Sequence, residues 1–302
     1  MTDVAAVVIN RNTREMLRAC LRSIMESEFD SNIEVWVVDS GSSDGSQAMV
    51  LGEFPGVNLV YNDENTGYAK ACNQGLRVTS APYVIVMNSD TVLSADTVSV
   101  VAGFLDGHPE CAAAGPRILN PDGTLQLSCR EFPSMWDAFA HAFLGLFRPD
   151  NRYSARYKKS GWDHDTAGEV DWVSGAFMAL RREAVDAVGG FDEGYFMYVE
   201  DVDLCWRLRQ AGGTVDYIGR GDVVHFVAQS SRMASTRMML HHHVSMLRFH
   251  RRTYRGPCRH AVNLAVTIGV AARFGLIVVL NTFYRARAAL GGKLKVIMPG
   301  RQ

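Results

Sequence analysis

The sequence predicts an α/β protein, a Rossmann-like, mostly parallel sheet flanked by helices with a C-terminal helical appendage, and three observations carry that reading. Within the first 105 residues, four β-branched apolar runs each lead into apolar residues at helical spacing. Polar residues gather where those runs end, which in a parallel sheet is the ligand-binding edge. Charge then divides the chain. Residues 1–222 hold all 32 acidic residues and 18 of the 31 Lys and Arg, a formal −14, whereas residues 223–302 hold the other 13 basic residues and no acid. The expected organisation is one domain over residues 1–230 and an appendage over 231–302.

Residues 4–9 form an apolar run that stops at Asn10-Arg11-Asn12-Thr13, and Leu17, Cys20, Leu21, Ile24 and Met25 follow at helical spacing. A strand and an amphipathic helix capped by Asn12 or Thr13 are expected. The second strand, 33–38, runs into Asp39-Ser40-Gly41-Ser42-Ser43-Asp44-Gly45-Ser46 and a short helix. The third, 57–61, leads through Asn65-Thr66-Gly67 into a helix with Ala71, Cys72, Gly75 and Leu76 inward. The fourth, 83–87, ends in Asn88-Ser89-Asp90, after which Val98, Val101, Ala102 and Leu105 mark another helix. Asn10, Asp39, Asn65 and the Asn88-Ser89-Asp90 turn therefore share one edge, a nucleotide-sized cleft. The first turn lacks the glycines of a dinucleotide fingerprint, and no phosphate-binding Gly-Lys-Ser/Thr loop occurs, which disfavours dehydrogenase chemistry.

Beyond residue 105 the pattern changes. Residues 111–119, a turn at Asn120-Pro121-Asp122-Gly123, and residues 125–129 predict a hairpin. Residues 134–147 read as an aromatic-rich helix, and 148–168, polar and basic, as a lid. Residues 169–180 read as one strand through Trp172 and Gly175, 182–188 as a short helix, and 214–218 and 223–226 as two strands, the latter carrying His225. Between them, residues 191–207 crowd five carboxylates and five aromatics into seventeen residues. Carboxylates beside apolar surface are costly unless they bind something or shift their pKa values, so this stretch reads as a site of chemistry.

The tail is almost wholly apolar from 261 to 284, with Arg273 mid-run arguing against a simple spanning helix. Flanked by Arg251-Arg252, Arg255 and Arg259 and by Arg285 and Arg287, it fits a helix or helical hairpin on an anionic membrane surface, not nucleic acid. A buried core helix and an interface between copies of the chain are the other readings. His241-His242-His243 has no acidic partner nearby in sequence and is assigned to the membrane-facing flank. Six scattered cysteines without CxxC spacing suggest reduced thiols. The N-terminus enters a strand directly, so a cytoplasmic location, peripheral at the inner membrane face, is expected.

Four motifs in fixed order now identify a resemblance covering residues 4–230: Val37-Val38-Asp39-Ser40-Gly41-Ser42-Ser43-Asp44-Gly45-Ser46, Asn65-Thr66-Gly67-Tyr68-Ala69-Lys70-Ala71-Cys72-Asn73, Met87-Asn88-Ser89-Asp90, and Phe191-Asp192 through Glu200-Asp201-Val202-Asp203-Leu204-Cys205-Trp206-Arg207. The chain resembles the inverting nucleotide-sugar glycosyltransferases of family 2, with a GT-A fold. Gly115-Pro116-Arg117-Ile118-Leu119, Asp122-Gly123-Thr124-Leu125-Gln126, Ser128-Cys129-Arg130 and Phe132-Pro133-Ser134 are similar to its dTDP-rhamnose-dependent bacterial rhamnosyltransferases, which act on polyprenyl-diphosphate-linked N-acetylglucosamine. Residues 1–110 would then be the nucleotide-binding half and 111–230 the acceptor and catalytic half.

The resemblance implies roles residue by residue. Asp201 is the general base, and Glu200, Asp203, Trp206, Trp172 and Gly175 form the acceptor side. Asn10, Asp39, Gly67, Lys70, Asn73, Asn88 and Ser89 face the nucleotide sugar, Asp39 taking the N3–H of the base unless it caps the next helix. Asp90 and His225 hold Mg²⁺ or Mn²⁺; Asn88 stands where the family's DxD motif has its first carboxylate, and His225 is otherwise a core histidine. One carboxylate suffices for such an ion, because phosphate and water complete its octahedron. The implied enzyme is a metal-dependent inverting glycosyltransferase using a dTDP- or UDP-sugar and a lipid-linked acceptor. A sugar nucleotidyltransferase and a silent membrane scaffold are the alternatives.

Overall fold

The computed structural model describes residues 3–132, 159–226 and 236–289, with side chains described as far as residue 283. The expected helix over 134–147, the first part of the expected lid and the side chains of Arg285 and Arg287 lie outside them.

The first half alternates as expected: β1 (Val4–Asn10), α1 (Arg14–Met25), β2 (Ile33–Ser40), α2 (Ser46–Glu53), β3 (Asn58–Asn62), α3 (Tyr68–Val78) and β4 (Tyr83–Asn88). β1 is buried along its whole length and pairs in parallel with β2 and β4, while β3 extends the sheet beyond β2. Its alternate residues feed two cores. Val4, Ala6 and Val8 meet Leu17, Leu21 and Ile24 of α1 on one face, and Ala5, Val7 and Ile9 meet Ala71, Cys72 and Leu76 of α3 on the other. α3 approaches so closely that a Cβ at Gly75 would collide with Val7. Thr13 precedes α1 but makes no side-chain cap; Asp44 Oδ2 accepts the Arg14 N–H instead, at 2.8 Å.

The second half is mixed. β5 (Thr91–Leu93) and α4 (Thr97–Gly107) lead to β6 (Cys111–Gly115), and later segments supply β10 (Gly168–Glu169), β12 (Phe177–Arg181) and β13 (Thr214–Tyr217). The eight-stranded order is β10-β13-β6-β12-β4-β1-β2-β3. β12 inserts antiparallel to both β4 and β6, so the sheet is parallel only from β4 to β3 and again between β13 and β6. The single strand expected over 169–180 is broken into β10, β11 (Trp172–Val173) and β12, and between the last two Gly175 leaves the ladder to donate its N–H to Asp201.

The expected 111–129 hairpin is redistributed too. Its first part is β6, and only β7 (Ile118–Leu119) and β8 (Leu125–Gln126) pair as a hairpin. β9 (Cys129–Arg130) pairs with β11, setting Arg130 opposite Trp172. β14 (Val223–His225) joins a second sheet of order β5-β14-β7-β8, with His225 opposite Thr91. α5 (Arg182–Ala187) and α6 (Glu200–Gln210) flank the acidic segment.

The appendage is a helical hairpin, α7 (Thr236–Thr253) and α8 (Arg259–Ala289). Within α8, Arg259–Phe283 is long and apolar enough to cross a membrane. Its polarity is inverted relative to a soluble helix. Arg273 and Asn281 turn inward onto α7, where Arg273 Nη1 lies 2.8 Å from His243 Nε2 and Asn281 contacts the Met239 sulfur. Leu264, Ile268, Val279 and Phe283 face outward, all more than half exposed. The mid-run arginine thus has a partner inside the hairpin. The assignment of the three histidines to a membrane flank is overturned: His241 stacks on Phe196, His242 meets the Tyr198 ring edge-on, and His243 lies between Met239 and Arg273. Burial pushes the His242 imidazole down to about 3, so it is neutral at pH 7.

Candidate active site

At the carboxyl edge of β1, β2 and β4 a hydrogen-bonded chain runs across the sheet. Asp39, fully buried, receives Asn10 Nδ2 (2.6 Å), Ser42 N (2.9 Å) and Oγ (2.6 Å), and Gln47 Nε2 (2.8 Å). Asn10 Oδ1 accepts the Thr13 hydroxyl at 2.7 Å, and Thr13 Oγ1 lies 2.6 Å from Ser89 Oγ. Four donors saturate a carboxylate. Asp39 is therefore a keystone of the loop after β2, and a base N–H reaches it only by displacing one of them, Gln47 being the donor on the longest side chain. A cleft of ≈ 330 Å³ opens beside this edge, lined by Asn12, Thr13, Arg14, Asp44 and Asp90 among others.

The β14–β5 pairing brings His225 to Asp90: Nε2 is 3.2 Å from Asp90 Oδ1 and 3.4 Å from Asn88 Nδ2, and Phe226 N–H bonds the Asp90 carbonyl. His225 Nδ1 lies 2.8 Å from Gln126 Oε1, an acceptor, so Nδ1 carries the proton and donates it. Nε2 faces Asp90 Oδ1 beside the Asn88 amide, and an imidazole nitrogen next to a carboxylate is a donor pair that a divalent cation could bridge. An outer-shell acceptor fixing the far nitrogen is the usual support of a metal-bound histidine. The donor set fits a divalent ion completed by diphosphate oxygens and water. Among the described residues no three His, Cys, Asp or Glu side chains converge as a metal site, so Asp90 and His225 leave coordination positions open to substrate oxygens and water.

The acidic segment is tied to the Asn88-Ser89-Asp90 turn through the backbone of residues 175–176. Asn88 N–H bonds the Ala176 carbonyl at 3.0 Å, and the neighbouring Gly175 N–H bonds Asp201 Oδ2 at 2.9 Å. Gly175 is pressed between Asp201 and Tyr68, whose hydroxyl donates to its carbonyl at 2.6 Å. Glu200 and Asp201 open α6 after two left-handed residues, Tyr198 (φ 70°) and Val199 (φ 71°). A β-branched residue there is an outlier costing about 1–3 kcal/mol, which surrounding structure must impose.

Burial raises both carboxyl pKa values. Asp201 is held back by the Gly175 and Val202 N–H groups and by the charge of Arg130, whereas Glu200 is pushed higher still by its neighbour's charge. Glu200 is 6% exposed and its Oε2 has no hydrogen-bond partner. Two adjacent buried carboxyls favour one negative charge between them, and it resides on Asp201, which alone receives N–H donors from Gly175 and Val202. A raised carboxylate is suited to take a proton near neutral pH.

One consequence is thermodynamic. The raised pKa of Glu200 means the folded protein prefers its protonated form. No penalty arises below the unfolded value near 4.5, and the penalty grows as pH rises toward the folded value. Glu200→Gln is expected to be more stable than the parent at pH 8 by about 1–2 kcal/mol, with the gap closing toward pH 5. Melting temperatures of both proteins across that range check it; a gap that does not grow with pH would contradict it.

Several sequence-expected residues take other places. Gly67 is buried with φ +84° so that the Phe196 carbonyl can approach; a Cβ would strike it, and Tyr68 N–H already donates to that oxygen at 2.8 Å. The first N–H of α3 is thereby taken, and Lys70 is exposed on that helix. Asn73 clamps Phe191 through both its main-chain groups (2.8 and 2.9 Å) and bonds Glu193. Trp172 is buried with the Arg130 guanidinium 5.1 Å above its ring, so that face is not open to a sugar. Asp203 is wholly buried and held by Tyr195, Arg207 and Arg252. Trp206, five residues after Asp201, projects about 140° round the helix from it. Brought together are Asn10, Asp39, Asn88, Ser89, Asp90 and His225 on one side and Gly175, Glu200 and Asp201 on the other. Gln126, Arg130 and Tyr68 join them without a role assigned from sequence, although all three lie in the quoted motifs.

A buried carboxylate near an Asp–His pair, with no nucleophile–base couple between them among the described residues, suits displacement at a carbon that carries a charged leaving group. The chain belongs to glycosyl transferase family 2, whose model matches residues 5–189 and stops just short of the acidic segment. It is 32% identical over 275 residues to the N-acetylglucosaminyl-diphospho-decaprenol L-rhamnosyltransferase of Mycobacterium tuberculosis (strain ATCC 25618 / H37Rv), covering 86% of this chain and 89% of that protein. It is 29% identical over 170 residues to rhamnosyltransferase WbbL of Escherichia coli (strain K12), covering 55% of this chain and 61% of that one. Among solved structures, a mannosyltransferase from Pyrobaculum calidifontis in complex with GDP-Man and Mn²⁺ superposes with a TM-score of 0.57 at 20% identity, over 97% of this chain and 79% of that chain. The GT-A fold expected from the motifs is the fold observed.

Proposed function

We propose that this protein is a metal-dependent inverting rhamnosyltransferase. It moves L-rhamnose from dTDP-rhamnose to a hydroxyl of a polyprenyl-diphosphate-linked saccharide at the inner face of the cell membrane. The observation that carries the reading is Asp201, a carboxylate with raised pKa held by Gly175 N–H, one residue along the backbone from the anchor of the Asp90 turn. Asp201 Oδ accepts the acceptor's hydroxyl proton as the new carbon–oxygen bond forms and the bond to the diphosphate breaks. Asp90 and His225 would hold a divalent ion, and such an ion supplies positive charge against the leaving diphosphate. Asn10, Ser89 and the saturated Asp39 loop shape the nucleotide edge. The rhamnose donor and lipid-linked acceptor follow the relative that is 32% identical over most of both chains. Membrane placement rests on the outward apolar face of α8 and on exposed Arg251, Arg255 and Arg259 at the hairpin turn, in a segment without acids.

Incubating the purified protein with membranes and a panel of labelled nucleotide sugars tests this. Label is expected in the lipid fraction from dTDP-rhamnose only when Mg²⁺ or Mn²⁺ is present. Transfer from a UDP-sugar alone would reassign the donor, and no binding or transfer of any nucleotide sugar would overturn the proposal.

A further inference from the structure

The C-terminal hairpin reaches past a membrane-facing role into the segment that carries the base. His241, Ser245, Arg248 and Arg252 recur at i, i+4, i+7 and i+11, one face of α7, and all four meet residues 192–203. His241 stacks on Phe196 with centroids 4.4 Å apart, and Ser245 Oγ donates to the Met197 carbonyl at 3.1 Å. Arg248 donates to both oxygens of Asp192 at 2.9 Å and lies over the Tyr195 ring. Arg252 Nη1 is 2.8 Å from both oxygens of Asp203 and 3.1 Å from Asp192. Asp203 has zero side-chain exposure and is also met by Arg207 from its own helix and by the Tyr195 hydroxyl. The left-handed Tyr198-Val199 turn, directly before Glu200-Asp201, lies between these contacts. No side-chain cap fixes the start of α6.

We propose that Arg252, seconded by Arg248, is a positioning residue for Asp201: the hairpin holds the strained turn that aims the base, so the appendage is a working part of the active site. A hairpin serving only as an anchor has no need to place its guanidiniums on the partly buried Asp192 and the wholly buried Asp203 of the acidic segment. Removing Arg252 leaves Asp203 buried with less than its complement of positive charge. The turn then relaxes, and because Asp201 lies two residues before Asp203 on one helix, the base moves with it. Small displacements of a base cost turnover more than substrate binding. The inference rests on Asp201 as the base.

The test uses the full-length protein and compares Arg252→Gln, Arg252→Lys, Asp203→Asn and the double variant Arg252→Gln/Asp203→Asn. Transfer from labelled dTDP-rhamnose to lipid acceptor and amide hydrogen exchange are both read. Arg252→Gln is expected to lower kcat by about 10–100-fold with donor KM within about three-fold, and Arg252→Lys to recover most of the loss. The double variant should be no worse than the worse single variant, because both break one contact. Exchange at residues 199–203 should accelerate by about ten-fold or more while β1 and β4 stay protected. An unchanged kcat, or acceleration spread evenly over the sheet, would overturn the proposal. Should Arg252→Gln not fold, Arg248→Gln, on a half-exposed side chain, carries the same kinetic and exchange expectations. Absence of transfer by the parent protein would strike the proposed function alone, and exchange at 199–203 would still decide the positioning role.

Discussion

Asp201→Asn is expected to lower kcat by about 10³-fold while leaving nucleotide-sugar affinity within about two-fold. The amide keeps the side chain's shape and its oxygen can still accept one of the two N–H groups, from Gly175 and Val202, that the carboxylate receives, so the donor edge stays in place. What it loses is the ability to take a proton. Steady-state transfer rates together with calorimetric donor binding separate the two quantities. A variant that loses donor binding in parallel with turnover would make Asp201 a binding residue, and one that retains turnover would move the base elsewhere. The parent's kcat should fall as pH drops through the raised pKa of Asp201, because protonation removes the base, and this acid limb should vanish in the variant.

The second large effect is at the Asp90–His225 pair. Chelation is expected to abolish transfer, with Mg²⁺ or Mn²⁺ restoring it, and Asp90→Ala to cost about 10³-fold in kcat/KM even at saturating metal. His225→Ala should cost less, about 10–100-fold, since one ligand of several is lost. Gln126→Ala leaves both ligands intact but frees the imidazole to turn, because Gln126 is what the far nitrogen bonds. It should weaken metal affinity by about 10–100-fold with little change at saturating metal. Activity indifferent to chelators would refute the metal reading outright, and an effect of Gln126→Ala that metal does not relieve would refute its supporting role.

The first half of the fold and the donor edge were legible because each strand announces itself by period and ends in a polar turn. Asn10, Asp39 and Asn88-Ser89-Asp90 share one edge as expected, since parallel pairing leaves no other arrangement of four consecutive strand–helix units. The second half was less legible. β6 and β12 meet antiparallel across a long intervening chain, and two-residue strands such as β9 and β11 carry no periodicity to detect. The resemblance places Gly67 and Asn73 on the nucleotide sugar; instead the Phe196 carbonyl packs on Gly67 and takes the Tyr68 N–H while Asn73 clamps Phe191, contacts from the acidic segment that local sequence does not encode. Asp203 was read as an acceptor ligand because its ion partner Arg252 lies on α7, far along the chain. The same long-range pairing hid the purpose of the histidine run. His241, Ser245, Arg248 and Arg252 share one face of α7, but the surface of residues 192–203 that this face fits lies far away in sequence.

The most direct test of the central claim, in-line displacement by a single base, is the anomeric configuration of the sugar in the isolated lipid-linked product, read by NMR coupling. Inversion relative to the donor is predicted, because one carboxylate on the acceptor side can only deliver the hydroxyl from the face opposite the leaving diphosphate. Retention would contradict the account, since it requires either a second displacement or attack from the face of the leaving diphosphate, and a base on the opposite face serves neither.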